Sequence, residues 1–429
     1  MPSPRMTAIR WVRTRQAPLL VNVVWSPRGG VVPAAVTGGG ADPGLISVAE
    51  AAEQLGVKPS TVYAYVSRGL LRSKRLAGDR RSWLSRAEVD AMAVRSGARA
   101  EPLEPTTPGE TTRVASIVED RLYYREHEAA ELAATHSFEA VAELLWESGI
   151  EPDVPWALNE QAKATVEAVR AAVPESSLPL DRLKVTTAML GAADSFRYDL
   201  SAPSVRSVGR SLVPALVESL PELSSQPLSG AVAARLWSRL SARPARERDI
   251  ALLSAALVML GDHAVAPSTR AVRAAASMAA DPYSVVLAGM SVASGLLLDG
   301  GSSLAVQAWL GDIDSPASVR RVIGERLLRG DRISGFGQPR YERTDGRATL
   351  LLDMLAEDPP DDDRLQIVQA VTRLVEERRQ LPPNVEFALG ALCFVHDMPY
   401  GSGEAVFVVA RSVGWLAHAI EIYESGRHG

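Results

Sequence analysis

Residues 45 to 99 alternate polar and apolar positions in a way that predicts two short helices, a hairpin and a third helix. Ser47 with Glu50 three residues on makes a capping box, and Val48, Ala51, Ala52 and Leu55 recur at helical spacing until Gly56. Pro59 suits the first position of a second helix, in which Val62 and Val66 face inward while Ser60, Thr61, Tyr63 and Arg68 stay outside. Between Leu70 and Leu84 two extended runs flank Ala77, Gly78 and Asp79, a hairpin carrying Lys74, Arg75, Arg80 and Arg81; Ser85 with Glu88 then caps another helix. Beyond residue 115 strand-like alternation is scarce and helical runs recur. Phe138, Val141, Leu144 and Leu145 share one face, as do Ile250, Leu253, Ala256, Leu257 and Leu260. Near the end, Ala410, Gly414 and Ala417 form a smooth stripe for close helix contact, beside Arg411, Trp415 and His418. The pattern predicts a mainly α body behind a small winged helix-turn-helix.

Charge divides the 429 residues in the same place. The net charge is -5, yet residues 1–44 carry five Arg against Asp42, giving +4, and residues 45–99 carry ten Lys or Arg against five acids, giving +5; residues 100–429 therefore hold -14. A basic module in front of an acidic body suits a nucleic-acid-binding head. Pro102, Pro105 and Pro108 predict a linker over 100–114, and the glycine-rich residues 1–44 a disordered leader. A composition of 46% hydrophobic and 23% charged residues is that of a soluble globular protein. No uninterrupted apolar run approaches the roughly 18 residues of a membrane span, and the N-terminal segment is a poor signal peptide, so the expected location is the cytoplasm without membrane attachment. The single cysteine, Cys393, excludes an intrachain disulfide framework and any Cys-rich zinc site, and the histidine spacings suggest no metal.

Over about 50 residues the head resembles the helix-turn-helix of the excisionase and MerR-like families, wing included. The resemblance implies duplex DNA as partner, with the second helix (Ser60, Thr61, Tyr63, Arg68) in the major groove and Lys74, Arg75, Arg80 and Arg81 on phosphates. The alternative is an arginine-rich module that binds protein.

Five phrases in order resemble the citrate synthase family: LYYREHEAAELAATHSFEAVAELLWESG (122–149), GDHAVAPSTRAVRAAASMAADPYSVVLAGMSVASGLLLDGG (261–301), GFGQPRYERTDGRA (335–348), PNVEFALG (383–390) and VARSVGWLAHAIE (409–421). This implies a helical large domain, 115–304 with 406–429, and a small domain, 305–405. Such enzymes condense acetyl-CoA or a related thioester with a 2-oxo acid. A carboxylate removes the methyl proton, one histidine holds the enol oxygen, another polarises the ketone, and arginines clamp the carboxylates. By resemblance His263, Arg347 and Arg411 bind substrate, and Glu386 stands at the base position, one methylene longer than the family's Asp. Asp299 replaces the enol-stabilising histidine and Gln338 the ketone-polarising one; no histidine occurs between His263 and His396. An ionised Asp299 would repel the enolate it should stabilise. Nor does Arg427, in the final ESGRHG, dependably replace the arginine–proline phrase that in family homodimers reaches the neighbouring site.

The expectation is thus a binder of a 2-oxo acid or a CoA thioester with weak or no condensation activity and no tightly held cofactor. It would act as a regulator, as a homodimer, or as a heteromer with an intact homolog. An active acyltransferase joining acetyl-CoA to oxaloacetate is the first alternative, and a structural dimerisation scaffold the second. Considered individually, His263 also fits a hydrogen-bonded core histidine, Arg347 beside Asp345 a local ion pair, Cys393 a core residue and His396 a loop residue.

Overall fold

The computed structural model describes residues 45–55, 57–67, 70–75, 82–96, 111–147, 149–150, 156–224, 230–295, 303–331 and 333–425. Contacts divide the chain into Met1–Leu45 and Ile46–Gly429, and apart from Leu45 the described residues belong to the second unit.

In the head, β1 (Leu45–Ser47) leads into α1 (Val48–Gln54), α2 (Pro59–Ser67), β2 (Ser73–Arg75), β3 (Ser82–Ser85) and α3 (Arg86–Ser96). The capping box forms in both directions: Ser47 Oγ accepts the Glu50 N–H at 3.2 Å and Glu50 Oε2 accepts the Ser47 N–H at 2.9 Å. The wing strands pair antiparallel, Ser73 opposite Leu84 and Arg75 opposite Ser82. β1 adds a third strand that the sequence pattern did not predict, in the order β1-β3-β2. Three residues are too few for alternation to show. Ile46, Ala51, Leu55, Val62, Leu71, Leu84, Val89 and Met92 form the head's own core.

The body opens with a second unpredicted sheet, the antiparallel β4 (Ala115–Val118), β5 (Arg121–Tyr124) and β6 (His127–Glu128). Its first turn is Glu119–Asp120, both at positive φ (49° and 63°), the two-residue geometry that matches strand twist. Helices follow: α4 (Ala129–Thr135), α5 (Phe138–Leu145), α6 (Glu160–Ala172), α7 (Pro179–Ala193), α8 (Ala202–Ser219), α9 (Val232–Leu240), α10 (Glu247–Leu260), α11 (Pro267–Ser277), α12 (Pro282–Ala293), α13 (Ser303–Gly311), α14 (Val319–Arg329), α15 (Gly346–Glu357), α16 (Asp362–Arg379), α17 (Val385–Val395) and α18 (Ser402–Ser425).

α18 is the axis of the bundle. Every residue from Val408 to Ile420 is buried, and the helix packs on α5, α7, α8, α10, α11, α12, α13 and α17. By length and composition it is long and apolar enough to cross a membrane, although Arg411, Ser412 and His418 punctuate its apolar run; here it is a core helix. The small-residue stripe has a concrete use at Gly414, where a Cβ would overlap the Gly261 carbonyl and the Asp262 carboxylate. Thr112 and Arg113, assigned to the linker by the proline pattern, are tied to this helix: Glu421 accepts the Thr112 hydroxyl at 2.9 Å and the Arg113 N–H at 2.7 Å, and Val114 is buried.

Candidate functional site

Loop segments, helix ends and the middle of α18 build one polar cavity. Gly335 and Gly337, at φ +95° and +76°, bend the segment before Gln338, and at Gly335 a Cβ would also meet Phe387. This segment is pinned to the start of α17: Gly335 O accepts the Asn384 N–H at 2.9 Å, and Gly337 O accepts Asn384 Nδ2 at 2.8 Å. Asn384 also caps α17, its Oδ1 accepting the N–H groups of Glu386 and Phe387 at 3.1 and 3.2 Å, so Glu386 is held in the first turn. Asp345 ties in α15. It grips Arg347 through Nε at 2.9 Å and Nη2 at 2.8 Å, and accepts the Val385 N–H at 3.0 Å. From the opposite side, Arg411 of α18 donates Nε to Leu260 O at 2.7 Å, a cation at the last carbonyls of α10. Just past that end, His263 meets Tyr341 Oη at 3.1 Å.

His263, Ser268, Gln338, Arg340, Arg347, Glu386, Phe407 and Arg411 surround a cavity of about 50 Å³. Gln338 also borders a cleft of about 740 Å³ whose walls include Ile333, Gly337, Arg379 and Leu381. A small charged chamber thus shares a wall with a long outer cleft.

Burial and the arginines set the protonation of this chamber. Burial lowers His263 well below the usual histidine range, and Arg347, Arg411 and Arg340 push it the same way, so the imidazole is neutral. Burial raises the Glu386 carboxyl to about 7 against the pull of Arg347 and the Ser303 N–H, which it accepts at 3.1 Å. Although burial lowers the Arg347 guanidinium, Asp345 outweighs it and holds that pKa above its ordinary value, whereas Arg411 is lowered by burial. The arrangement can hold an anion on guanidinium groups beside a carboxyl poised to exchange a proton near neutrality.

Comparison with known proteins places this geometry. Residues 106–428 match the family description "Citrate synthase, C-terminal domain". The chain belongs to the citrate synthase family. Its head, residues 45–93, is a helix-turn-helix domain. The citrate synthase-like body is 26% identical over 333 residues to a 2-methylcitrate synthase of Mycobacterium tuberculosis, covering 73% of this chain and 84% of that protein. It is 32% identical over 176 residues to a citrate synthase of Haloferax volcanii, 40% of this chain and 46% of that one. Among solved structures, the citrate synthase of Thermotoga maritima superposes with a TM-score of 0.61 at 24% identity, covering 75% of this chain and 91% of that one. That of Thermoplasma acidophilum, in a ternary complex with carboxymethyl coenzyme A and oxaloacetate, gives 0.62 at 20%, with 73% and 89% covered. The mainly helical citrate synthase fold expected from the sequence is the fold observed.

Of the six body residues singled out from the citrate synthase phrases, five line the one chamber, and Asp299 lies outside the described residues. Arg347 is both things at once, a partner of Asp345 and a wall of the cavity. Cys393 is buried, as a core residue should be. His396 lies in the turn that ends α17, as expected of a loop residue, but it is buried there, its Nε2 3.3 Å from Asp249 and its ring edge-on to Trp237. Sequence reasoning also missed Arg340, although a cation just after Pro339 inside a matched phrase was a visible signal. In the head, Tyr63 is 56% exposed, Ser60 and Lys74 are exposed and Thr61 is half-buried. Arg68, Arg80 and Arg81 lie outside the described residues, as does the side chain of Arg75.

Proposed function

We propose that this citrate synthase-family protein is a ligand-responsive DNA-binding regulator. Its body holds a 2-oxo acid or a CoA thioester and condenses them weakly or not at all, and its head binds duplex DNA. The observation that carries the reading is the make-up of the chamber: His263, Arg347 and Arg411, substrate-binding positions by resemblance, surround one cavity together with Gln338, which stands where the resemblance puts a histidine. A neutral amide still donates a hydrogen bond, but it does not meet developing negative charge as an imidazolium would. Asp299, at the second altered position, is acceptor-only when ionised. The outer cleft beside Gln338 suits the arm of a thioester such as the coenzyme A analogue in the Thermoplasma acidophilum complex. The division into a large domain, 115–304 with 406–429, and a small one, 305–405, accords with the walls of the chamber, because His263 and Arg411 come from the first and Gln338, Arg347 and Glu386 from the second.

The test is release of free CoA from acetyl-CoA with oxaloacetate. One oxyanion donor is worth roughly 3 to 4 kcal/mol, or about 100- to 1,000-fold in rate. Turnover is therefore expected several orders of magnitude below the ordinary scale of about 10 per second, and Gln338→His with Asp299→His should raise it. Turnover by the unmodified protein at the ordinary scale would end the regulator reading. The second reading, a working acyltransferase, has one observation in its favour: a carboxyl raised to about 7 at the base position, Glu386, is suited to proton abstraction at neutral pH.

A further inference from the structure

Asp120, at the tip of the β4–β5 hairpin, reaches across to the loop that carries part of the chamber wall. Its carboxylate accepts the Glu342 N–H at 2.5 Å and the Arg343 N–H at 2.9 Å, and lies 3.6 Å from Arg343 Nε. Glu342, Arg343 and Thr344 are exposed between buried Tyr341 and Asp345, and Gln338 and Arg347 on either side of them line the chamber. An ionised carboxylate is acceptor-only and backbone N–H groups are obligatory donors, so Asp120 fixes a stretch that belongs to no helix or strand. Behind the chamber, hairpin and loop line a cavity of about 320 Å³ whose walls include Asp120, Leu122, Tyr341, Thr344 and Arg347. Arg347 borders both cavities, so a single side chain spans from the chamber to the space behind the hairpin.

The hairpin is fastened at its other end as well. Glu421 of α18 accepts the Thr112 hydroxyl and the Arg113 N–H, and Arg273 of α11 donates Nη1 to the same carboxylate at 2.5 Å and Nη2 to Thr111 O at 3.2 Å. Between the two fastenings β4 is paired with β5 over its whole length, from Ala115 opposite Tyr124 to Val118 opposite Arg121. A paired ladder transmits a displacement along its length, so a shift at Asp120 is felt at Thr112. Thr112 and Arg113 stand where the chain coming from the head joins the body.

Resting on the proposed reading of the chamber as the ligand pocket of a regulator, we infer that the β4–β5 hairpin is the element that couples the chamber to the head's linker, with Asp120 as its positioning residue. A ligand held by Arg347 and its neighbours steadies the loop from Gln338 to Arg347, the loop holds Asp120 more firmly, and the hairpin passes this to Thr112 and Arg113. The experiment is hydrogen exchange of the full chain read by mass spectrometry, with and without oxaloacetate at a concentration that calorimetry shows to saturate each protein, for the unmodified chain, Asp120→Ala and Asp120→Asn. In the unmodified chain oxaloacetate should slow exchange by about 2- to 10-fold, the equivalent of one hydrogen bond, both at residues 342–344 and at residues 111–118. Asp120→Ala should speed exchange at 342–343 without ligand and abolish the response at 111–118. Asp120→Asn, which keeps one acceptor oxygen but turns a donor toward the second N–H, should retain part of it. Oxaloacetate that binds but protects only the loop, or a full response at 111–118 in Asp120→Ala, overturns the coupling and leaves the pocket reading intact. Failure of the unmodified chain to bind oxaloacetate overturns the pocket reading and this inference with it. Should Asp120→Ala not fold, Asp120→Asn decides: an undiminished response at 111–118 counts against the carboxylate grip.

Discussion

Replacing Glu386 by Gln separates the electrostatic cost of this carboxyl from its chemistry. Its pKa rises from the ordinary 4.5 to about 7 in the folded chain. The native state therefore binds the proton more tightly than the unfolded state does. The resulting stabilisation is complete below about 4.5 and is lost as pH climbs through about 7, because the folded protein must then carry a buried charge. At 1.36 kcal/mol per pKa unit the full effect is about 3 kcal/mol, of which about 2.5 kcal/mol falls between pH 5 and pH 8. Glutamine keeps the shape and cannot titrate. The stability difference between Glu386→Gln and the unmodified protein should thus shift in favour of the variant by about 2.5 kcal/mol from pH 5 to pH 8. Denaturant unfolding followed by tryptophan fluorescence reads it at both pH values. A difference that stays flat would mean that Arg347 and the Ser303 N–H fully offset burial, and the account of a poised carboxyl would be wrong.

Arg80→Ala with Arg81→Ala should weaken duplex DNA binding and flatten its salt dependence in a gel shift, since each lost phosphate contact removes about one from the slope; equal binding by the double variant would count against the wing as a phosphate clamp. Gly414→Ala should destabilise the body by about 1–3 kcal/mol, the range for forcing a methyl into a packed interior, because α18 would have to lift from Gly261 and Asp262; an unchanged thermal midpoint would contradict the packing. Phe196 and Met278, each 80% exposed, and Tyr198, 66% exposed, are apolar side chains that a second copy is expected to cover. Sedimentation velocity is expected to show a dimer, and a monomer at micromolar concentration would refute it.

The head was legible because each device in it is local. Ser47 and Glu50 satisfy each other's backbone across three residues, and the paired wing strands are close neighbours in sequence. The chamber was legible through its phrases, which bring residues as distant as His263 and Arg411 to one cavity. What escaped was set by tertiary partners. The strands β4 to β6 are too short for alternation to register, although Glu119–Asp120 between two β-branched or aromatic runs was a hairpin signal. The burial of His396 in the turn after α17 escaped because nothing nearby in sequence announces Asp249 or Trp237, its partners in the fold. Arg340 lines the chamber by way of the turn it sits in, and no position of the resemblance carries a role there.

The position of α18 bears on the order in which the chain is made. All eight helices it packs against precede it in sequence, and the Thr112–Val114 segment that enters the body is fastened to Glu421. During synthesis the head's core residues, Ile46 to Met92, have all emerged while most of the body is still unmade, and the head is expected to fold first. The body meanwhile exposes the surfaces that flank its missing axis and closes only when α18 leaves the ribosome. A ribosome stalled before Ser402 would therefore display a finished helix-turn-helix on an open, chaperone-dependent body.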